Sequence, residues 1–91
     1  MAKVKNMTGP DRFHNPPSEY DSWLDYWEKK TGKKASTCGA TDCSTTKGIV
    51  GGHVVMVGST DTTHYITPLC RPCNNRADTF YVSTDLIPVP E

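Results

Sequence analysis

Four cysteines are the residues of this sequence best suited to chemistry, and they come as two close pairs. The pairs are Cys38-x4-Cys43 and Cys70-x2-Cys73, with 26 residues between them. Each short loop can direct two thiolates at one ion, and Zn²⁺ favours a tetrahedron of such ligands, so the spacing predicts a four-cysteine zinc site. Because four protein ligands leave no open position on the ion, we expect one structural Zn²⁺ and not a catalytic one.

Two other interpretations of the cysteines stay open at the level of sequence. A redox pair of Cys70 and Cys73 would need a thioredoxin-like βαβ context, and it would leave Cys38 and Cys43 without a role. Two disulfides would need an oxidising compartment. The opening residues MAKVKNM include two lysines and lack the apolar segment of a signal peptide. We therefore expect a reducing, cytoplasmic location with no membrane span.

The size and charge of the chain limit the classes of function. Its 91 residues form one small domain with a thin apolar core, to which a metal ion would add stability. Ten basic and ten acidic residues give a formal net charge of zero, unlike the strongly basic balance of a dedicated nucleic-acid binder. A zinc ion held by four thiolates would change this to about −2. Any contact with nucleic acid must therefore come from a local basic patch.

Sequence periodicity predicts the elements before the first cysteine pair. Residues 1–17 contain glycine, asparagine and three prolines with little apolar content, which predicts a flexible or extended arm. In PPSEYDSWLDYWEKKTGKK, apolar residues at i, i+3, i+4 and i+7 predict a helix over 18–30. Ser18 is the expected N-cap and Gly32 the expected stop. We expect the aromatic stripe of this helix to pack in the core.

The region between the two cysteine pairs has the pattern of a β-hairpin. The runs GIVGGHVVMV and HYITPL predict strands near 49–57 and 64–69. Pro68 has no N–H to give to a neighbouring strand, so its strand lies at a sheet edge or ends there. Pro72 suits the first turn of a short helix over 71–78.

The order of these elements predicts the fold class. A cysteine loop, a hairpin and a second cysteine pair at the start of a helix follow one another as in a treble-clef zinc finger. We therefore predict an α+β fold, a small treble-clef (ββα) finger with an aromatic helix on its N-terminal side. A short strand over 80–83 and an extended tail over 88–91 complete the chain. The single zinc-binding domain is placed at 18–87, between the arm over 1–17 and that tail.

The hairpin residues also carry a family resemblance. With GGHVV on the first strand and YITPLCRPCNN on the second, the chain resembles the zinc-containing branch of the HNH endonucleases over residues 38–78. In that family one zinc holds a treble clef, while a second divalent ion and a histidine cleave phosphodiesters. By position, the resemblance implies His53 as the general base and Asn74 as a ligand of the catalytic ion.

Two positions depart from the family's pattern. Tyr65 stands where an asparagine usually braces the catalytic loop, and Gly52 stands where a carboxylate often precedes the histidine. Mg²⁺ favours oxygen ligands, and besides Asn74 the sequence offers only Asp61 or Asp78. The resemblance therefore implies a nuclease scaffold with an incomplete active centre.

A second resemblance covers more of the chain. The pattern SWLDYW, C-x4-C, GGHV and YITPLCRPCN resembles a family of small bacterial or phage-associated zinc proteins with no assigned activity, over residues 22–90. This resemblance implies a fold and no biochemical role.

The main functional expectation is a non-enzymatic structural or interaction module, monomeric, whose partner is a protein or a nucleic acid. The first alternative is an HNH-type nuclease using His53 and Asn74, although this histidine could instead be hydrogen-bonded near the zinc sulfurs or replace a cysteine as a ligand. The second alternative is a nucleic-acid-binding zinc finger. Its candidate basic residues, which could also be an ordinary solvated surface, are Lys29, Lys30, Lys33, Lys34, Arg71 and Arg76.

Overall fold

The residues that the structure describes form a five-stranded sheet with two helices. A computed structural model describes residues 2–7, 16–58, 60 and 63–89. The elements in chain order are β1 Ala2–Asn6, α1 Trp23–Thr31, β2 Ile49–Met56, β3 His64–Cys70, α2 Arg71–Asn74, β4 Phe80–Val82 and β5 Ile87–Pro88. Every strand pairing is antiparallel, and the strand order is β4-β1-β2-β3-β5. The predicted α+β class is confirmed.

The strand β1 lies inside the sheet, although the sequence predicted an arm over residues 1–17. It pairs with β2 on one side and with β4 on the other. Alternation in AKVKN directs Val4 and Asn6 to a buried side and the two lysines to solvent. One strongly apolar residue in five is too weak a periodic signal to predict a strand from the sequence. The segment is a strand because it is buried between two partner strands. Residues 8–15 of the predicted arm lie outside the described residues.

Helix α1 begins at Trp23, five residues after the predicted start at Ser18. Its N-cap is Ser22, whose hydroxyl accepts a hydrogen bond from the backbone N–H of Asp25 at 3.0 Å. The predicted stop is confirmed, because Gly32 caps the helix with a φ of 71°, a conformation that glycine adopts at little cost. In the part of the chain that the structure describes, no helix is long and apolar enough to cross a membrane.

Each side of the sheet carries its own apolar cluster. On one side α1 packs over β2, β3 and β5 and buries Tyr26 and Trp27 against Ile66. This is called the helix side. On the other side, the cysteine side, the sulfur-bearing residues pack with Val4, Val54, Leu69, Phe80 and Val82. The expected packing of the stripe is met in part: Trp27 is buried and Tyr20 and Trp23 pack half-buried against this cluster, whereas Tyr26, outside the predicted stripe, is the other buried aromatic residue.

Two adjacent glycines in β2 allow close packing on both sides of the sheet. A Cβ at Gly51 would lie 2.6 Å from the backbone nitrogen of Leu24, so a larger residue would push α1 away from the sheet. A Cβ at Gly52 would collide with the Leu69 side chain on the cysteine side. The GG dipeptide of GGHV is therefore required by packing.

The hairpin β2–β3 ends close to the predicted positions, whereas the helix after it is much shorter than the predicted 71–78. α2 is a single turn, and Asn6 lies where it ends: its Nδ2 donates to the backbone oxygens of Cys73 at 2.8 Å and Arg76 at 3.0 Å. The prediction for Pro68 is wrong for the strand as a whole, because β3 lies between β2 and β5 and continues to Cys70. Proline is tolerated there because β5 pairs only with an earlier part of β3, Tyr65 and Ile66, and the Pro68 oxygen faces the Gly39 N–H on that side.

The C-terminal segment is attached to α1 and β3, where the sequence predicted a tail over 88–91. Part of it forms β5. The Tyr26 hydroxyl donates to the backbone oxygen of Pro88 at 2.6 Å, and Trp27 Nε1 donates to that of Asp85 at 2.8 Å. The last two residues lie outside the described part. Side-chain donors of α1, which are far away in sequence, therefore order this segment.

Candidate metal centre

The sulfur atoms of the four cysteines converge at one point on the cysteine side of the sheet. All four lie within 4.8 Å of one another, and Cys43 Sγ is 3.6 Å from Cys70 Sγ. Zn–S bonds of about 2.3 Å in a tetrahedron place neighbouring sulfurs roughly 3.8 Å apart. A disulfide needs about 2.05 Å, and the four thiols are free. The spacing is therefore that of ligands around an ion.

The first cysteine pair lies on a tight loop that is attached to β4. The Cys38 N–H donates to the Thr45 oxygen at 2.8 Å, and the Cys43 N–H donates to the Ala40 oxygen at 3.1 Å. Ala40 also forms a bridge with Val82 of β4. These bonds hold the two sulfurs in position from the backbone.

The second cysteine pair lies where β3 passes into α2. Cys70 is the last residue of the strand and the N-cap of the helix, and Cys73 follows one turn later. The bond from Asn6 to the Cys73 oxygen connects this turn to β1. The antiparallel sheet supplies none of the parallel βαβ context that a thioredoxin-like redox pair needs.

Burial of the cluster disfavours the negatively charged thiolate form of its cysteines. Cys38, Cys70 and Cys73 are 2–6% exposed. Burial raises the pKa of the Cys38 thiol, and it also raises the pKa of Cys73, to which the neighbouring Cys70 and Cys38 sulfurs add. Four thiolates at this spacing repel one another, and a divalent cation would remove both penalties.

Hydrogen-bond donors nevertheless face two of the sulfurs. The half-buried Cys43 has its pKa lowered to about 6, first by the Thr45 hydroxyl at 3.3 Å and then by the backbone of the same residue. The backbone N–H groups of Cys70 and Ala40 favour the thiolate form of Cys38. N–H and O–H groups directed at sulfur are what a metal-bound thiolate accepts.

Arg76 connects the two cysteine loops from beside the cluster. Its guanidinium bonds Asp42 of the first loop at 2.8 Å and Asp78 at 2.7 Å, and it lies 4.5 Å from the centre of the Phe80 ring. The Asp78 carboxylate, followed by that of Asp42, raises its pKa, and Cys73 adds to this effect. The side chain is only 22% exposed. Its positive charge therefore lies where a four-thiolate centre would be negative.

We expect Arg76→Met to destabilise the zinc-loaded protein by about 1–2 kcal/mol. The variant loses the bonds to Asp42 and Asp78, but the cost stays small because both carboxylates are exposed and regain water. The stability of Arg76→Lys should lie between that of the unchanged protein and that of Arg76→Met, because an ammonium cannot form the paired bonds of a guanidinium. Urea denaturation followed by circular dichroism measures both. The control is Arg71→Met, an exposed arginine of α2. A loss no larger than that of the control would contradict the bridging role.

The nuclease resemblance drew attention to two further residues, which the structure separates. His53 pairs across the hairpin with Ile66, and directly opposed residues share a side of a sheet, so its ring is on the helix side. There it lies 5.6 Å from the Trp23 ring and is 5% exposed. The interpretations that placed it near or on the zinc sulfurs are therefore wrong. Asn74 belongs to α2, which carries Cys73 on the cysteine side.

The predicted basic residues do not form one patch. Lys29 pairs with Asp25 at 3.1 Å and Lys33 with Asp85 at 2.8 Å, while Lys30 lies over an aromatic ring of α1. Lys34 and Arg71 are exposed, and Arg76 is engaged beside the cysteines. Several of these charges are thus matched locally, on different parts of the fold.

Sequence reasoning missed two residues that support the centre. Asn6 lies more than sixty positions from the carbonyl it bonds, and no local pattern could indicate this contact. Arg76 was assigned only as a candidate for contact with phosphate. Its signal was present, since Asp78 is two residues away, but the bond to Asp42 spans the fold.

No family model, curated protein or solved structure matches this chain. What the centre could bind must therefore be inferred from its own atoms. These are four cysteine sulfurs, of which three belong to buried residues, with hydrogen-bond donors around them. The four cysteines could hold one metal ion. Soft thiolates in a tetrahedral arrangement are typical of zinc and of iron–sulfur sites.

Proposed function

We propose that the four cysteines bind one Zn²⁺ and that this ion is structural. The observation that carries the proposal is the convergence of all four sulfurs within 4.8 Å of one another. Four thiolates fill the shell of a tetrahedral ion, so no position is left for water or substrate. The chain is then a small zinc-stabilised module that acts by binding a partner and not by catalysis.

The proposed architecture around this ion is a treble clef on an HNH-like scaffold. In support of it, a loop with one cysteine pair is followed by the hairpin β2–β3 and then by the second pair at α2. The strands β1, β4 and β5 extend the hairpin into a wider sheet. α2 is one turn long, shorter than a finger helix of this kind was expected to be.

Three features support a non-enzymatic role for this scaffold. His53 is enclosed on the helix side of the sheet, where a general base would not meet a substrate beside the cysteines. Gly52 has no room for the carboxylate that often precedes such a histidine, because Leu69 fills the space. Tyr65, which replaces the bracing asparagine, packs against the cysteine-side core.

The test is the metal content of full-length protein purified without chelator, with Co²⁺ substitution as a probe of geometry. We expect one zinc per chain, and a cobalt spectrum with strong d–d bands and sulfur-to-metal charge transfer, typical of four-thiolate tetrahedral sites. Cys73→Ser should weaken both signals, whereas the exposed neighbour of a ligand, Ser44→Ala, should leave them unchanged. Folded protein without metal, or with an iron–sulfur cluster, would overturn the zinc proposal.

A nicking assay tests the non-enzymatic part. Zinc-loaded protein with added Mg²⁺ or Mn²⁺ should leave supercoiled DNA intact. Nicking that disappears in a folded, zinc-loaded His53→Ala variant would overturn this part and restore the nuclease alternative.

A further inference from the structure

One area of the sheet on the helix side is not covered by α1. The helix packs on β2, β3 and β5, whereas β1 and β4 continue beyond it. Lys3 stands directly opposite Tyr81, and Lys5 stands opposite Val55 of β2, so these side chains share the helix side of the sheet. The open face is the surface formed by Lys3, Lys5 and Tyr81.

Tyr81 is the unusual member of the open face. Of the large apolar side chains in the described ranges, it is the exposed one, at 49%. Its neighbours in β4, Phe80 and Val82, point to the cysteine side and are buried. The Tyr81 ring thus contributes little to either core, and its flat surface is available to a ligand.

The charge of the open face is positive. Lys3 Nζ lies 6.0 Å from the centre of the Tyr81 ring, at the outer limit of a cation–π contact, and can move aside. The ion pairs found among the described residues join other cations, and neither Lys3 nor Lys5 takes part in them. Two positions apart on one strand, the lysines are separated by about 7 Å, a spacing suited to neighbouring phosphates of an extended strand.

We propose that the open face binds single-stranded nucleic acid, with one base stacked on Tyr81 and phosphates on Lys3 and Lys5. Every base has a flat face, so an exposed ring among cations binds single strands with little sequence preference. A duplex hides the faces of its bases, and a polyglutamate chain has no ring to stack on Tyr81. The proposal names the partner of the module described above.

The inference rests on the proposed zinc centre in one respect. The Tyr81 backbone oxygen accepts a hydrogen bond from Thr41, in the first cysteine loop, at 2.9 Å. β4 therefore depends on a loop that the metal orders, and the binding test must use zinc-loaded full-length protein. If the folded protein contains no zinc, the zinc proposal fails, while the same assay still tests the open face.

The experiment is fluorescence anisotropy of a labelled oligothymidine of about ten nucleotides, a length within the usual range for such sites. We expect salt-dependent binding in which the logarithm of the association constant falls with the logarithm of salt concentration at a slope of about −1.4, for two phosphates on a single strand. Tyr81→Ala should weaken binding by about 5- to 150-fold, the value of one stacked base. Tyr81→Phe should bind normally.

The matched controls distinguish binding at the open face from nonspecific electrostatic attraction to the protein surface. The double variant Lys3→Gln with Lys5→Gln should reduce both affinity and salt slope, whereas Lys47→Gln, an exposed lysine after the first cysteine pair, should change neither. Three results would each overturn the inference: no binding by folded, zinc-loaded protein at low salt, equal loss in the Lys47 control, or competition by duplex DNA or polyglutamate as strong as by the single strand.

Discussion

Treatment of the zinc-loaded protein with a strong chelator is expected to abolish its cooperative unfolding transition. Structural zinc in small domains contributes on the order of 10 kcal/mol, as much as the entire net stability of a typical domain. Here the ion would join the first cysteine loop, the end of β3 and α2, and so hold β4 in place through Ala40. Circular dichroism during a thermal scan, with zinc measured in the same sample, tests this.

Two variants show whether the chelator acts by removing zinc from the cysteine cluster. Cys70→Ser replaces a proposed ligand that is 2% exposed, so the variant should unfold or bind zinc weakly, and chelator should have little further effect on it. Ser44→Ala in the same region should respond as the unchanged protein does. A transition that persists at the same temperature after zinc has demonstrably left would show that the apolar core alone holds the fold.

Trp27→Ala is expected to cost about 3–5 kcal/mol, the usual range for removing a large aromatic side chain from a core. Trp27 is 3% exposed, packs near Ile66 and bonds the Asp85 oxygen. Its loss opens a cavity under α1 and releases the C-terminal segment together. Urea denaturation of the zinc-loaded protein gives the free energy of unfolding.

Trp27→Phe keeps a six-membered aromatic ring but removes the N–H donor and the rest of the indole, so its cost should exceed the roughly 1–2 kcal/mol of the lost hydrogen bond and stay below that of Trp27→Ala. Lys34→Ala, an exposed position beyond α1, serves as the control. Because the cysteines lie on the other side of the sheet, Trp27→Ala should still bind one zinc per chain under folding conditions. A cost equal to that of the control would contradict the assignment of Trp27 to the core.

The two clusters explain how a chain of 91 residues can be stable with few apolar side chains. One side of the sheet is covered by an aromatic helix and the other by four sulfurs with a small aliphatic group around them. Neither side has a helix layer of ordinary size. A metal ion on the cysteine side would replace the apolar area that a second long helix would bury.

Local patterns in the sequence determined much of the framework. Two cysteine pairs at metal-ligand spacing predicted a site at which the sulfurs do converge, although they say nothing of the ion's identity. Aromatic periodicity predicted α1 and its core face, and Gly32 predicted its end. The alternating runs predicted the hairpin β2–β3. Each signal works because the geometry it reports is set within a few residues of the chain.

Only the tertiary structure decided the features that depend on distant contacts. β1 became an inner strand because β2 and β4 bury Val4 from both sides, and β5 pairs with β3 where the Tyr26 hydroxyl of α1 donates to the Pro88 oxygen. The register of the hairpin puts His53 on the side of the sheet away from the sulfurs, and a shift of one residue would move it to the cysteine side. A hydrogen bond to a carboxylate 34 residues away places Arg76 beside the candidate metal centre. Burial and long-range pairing set these outcomes, and neither can be read from a local pattern of residues.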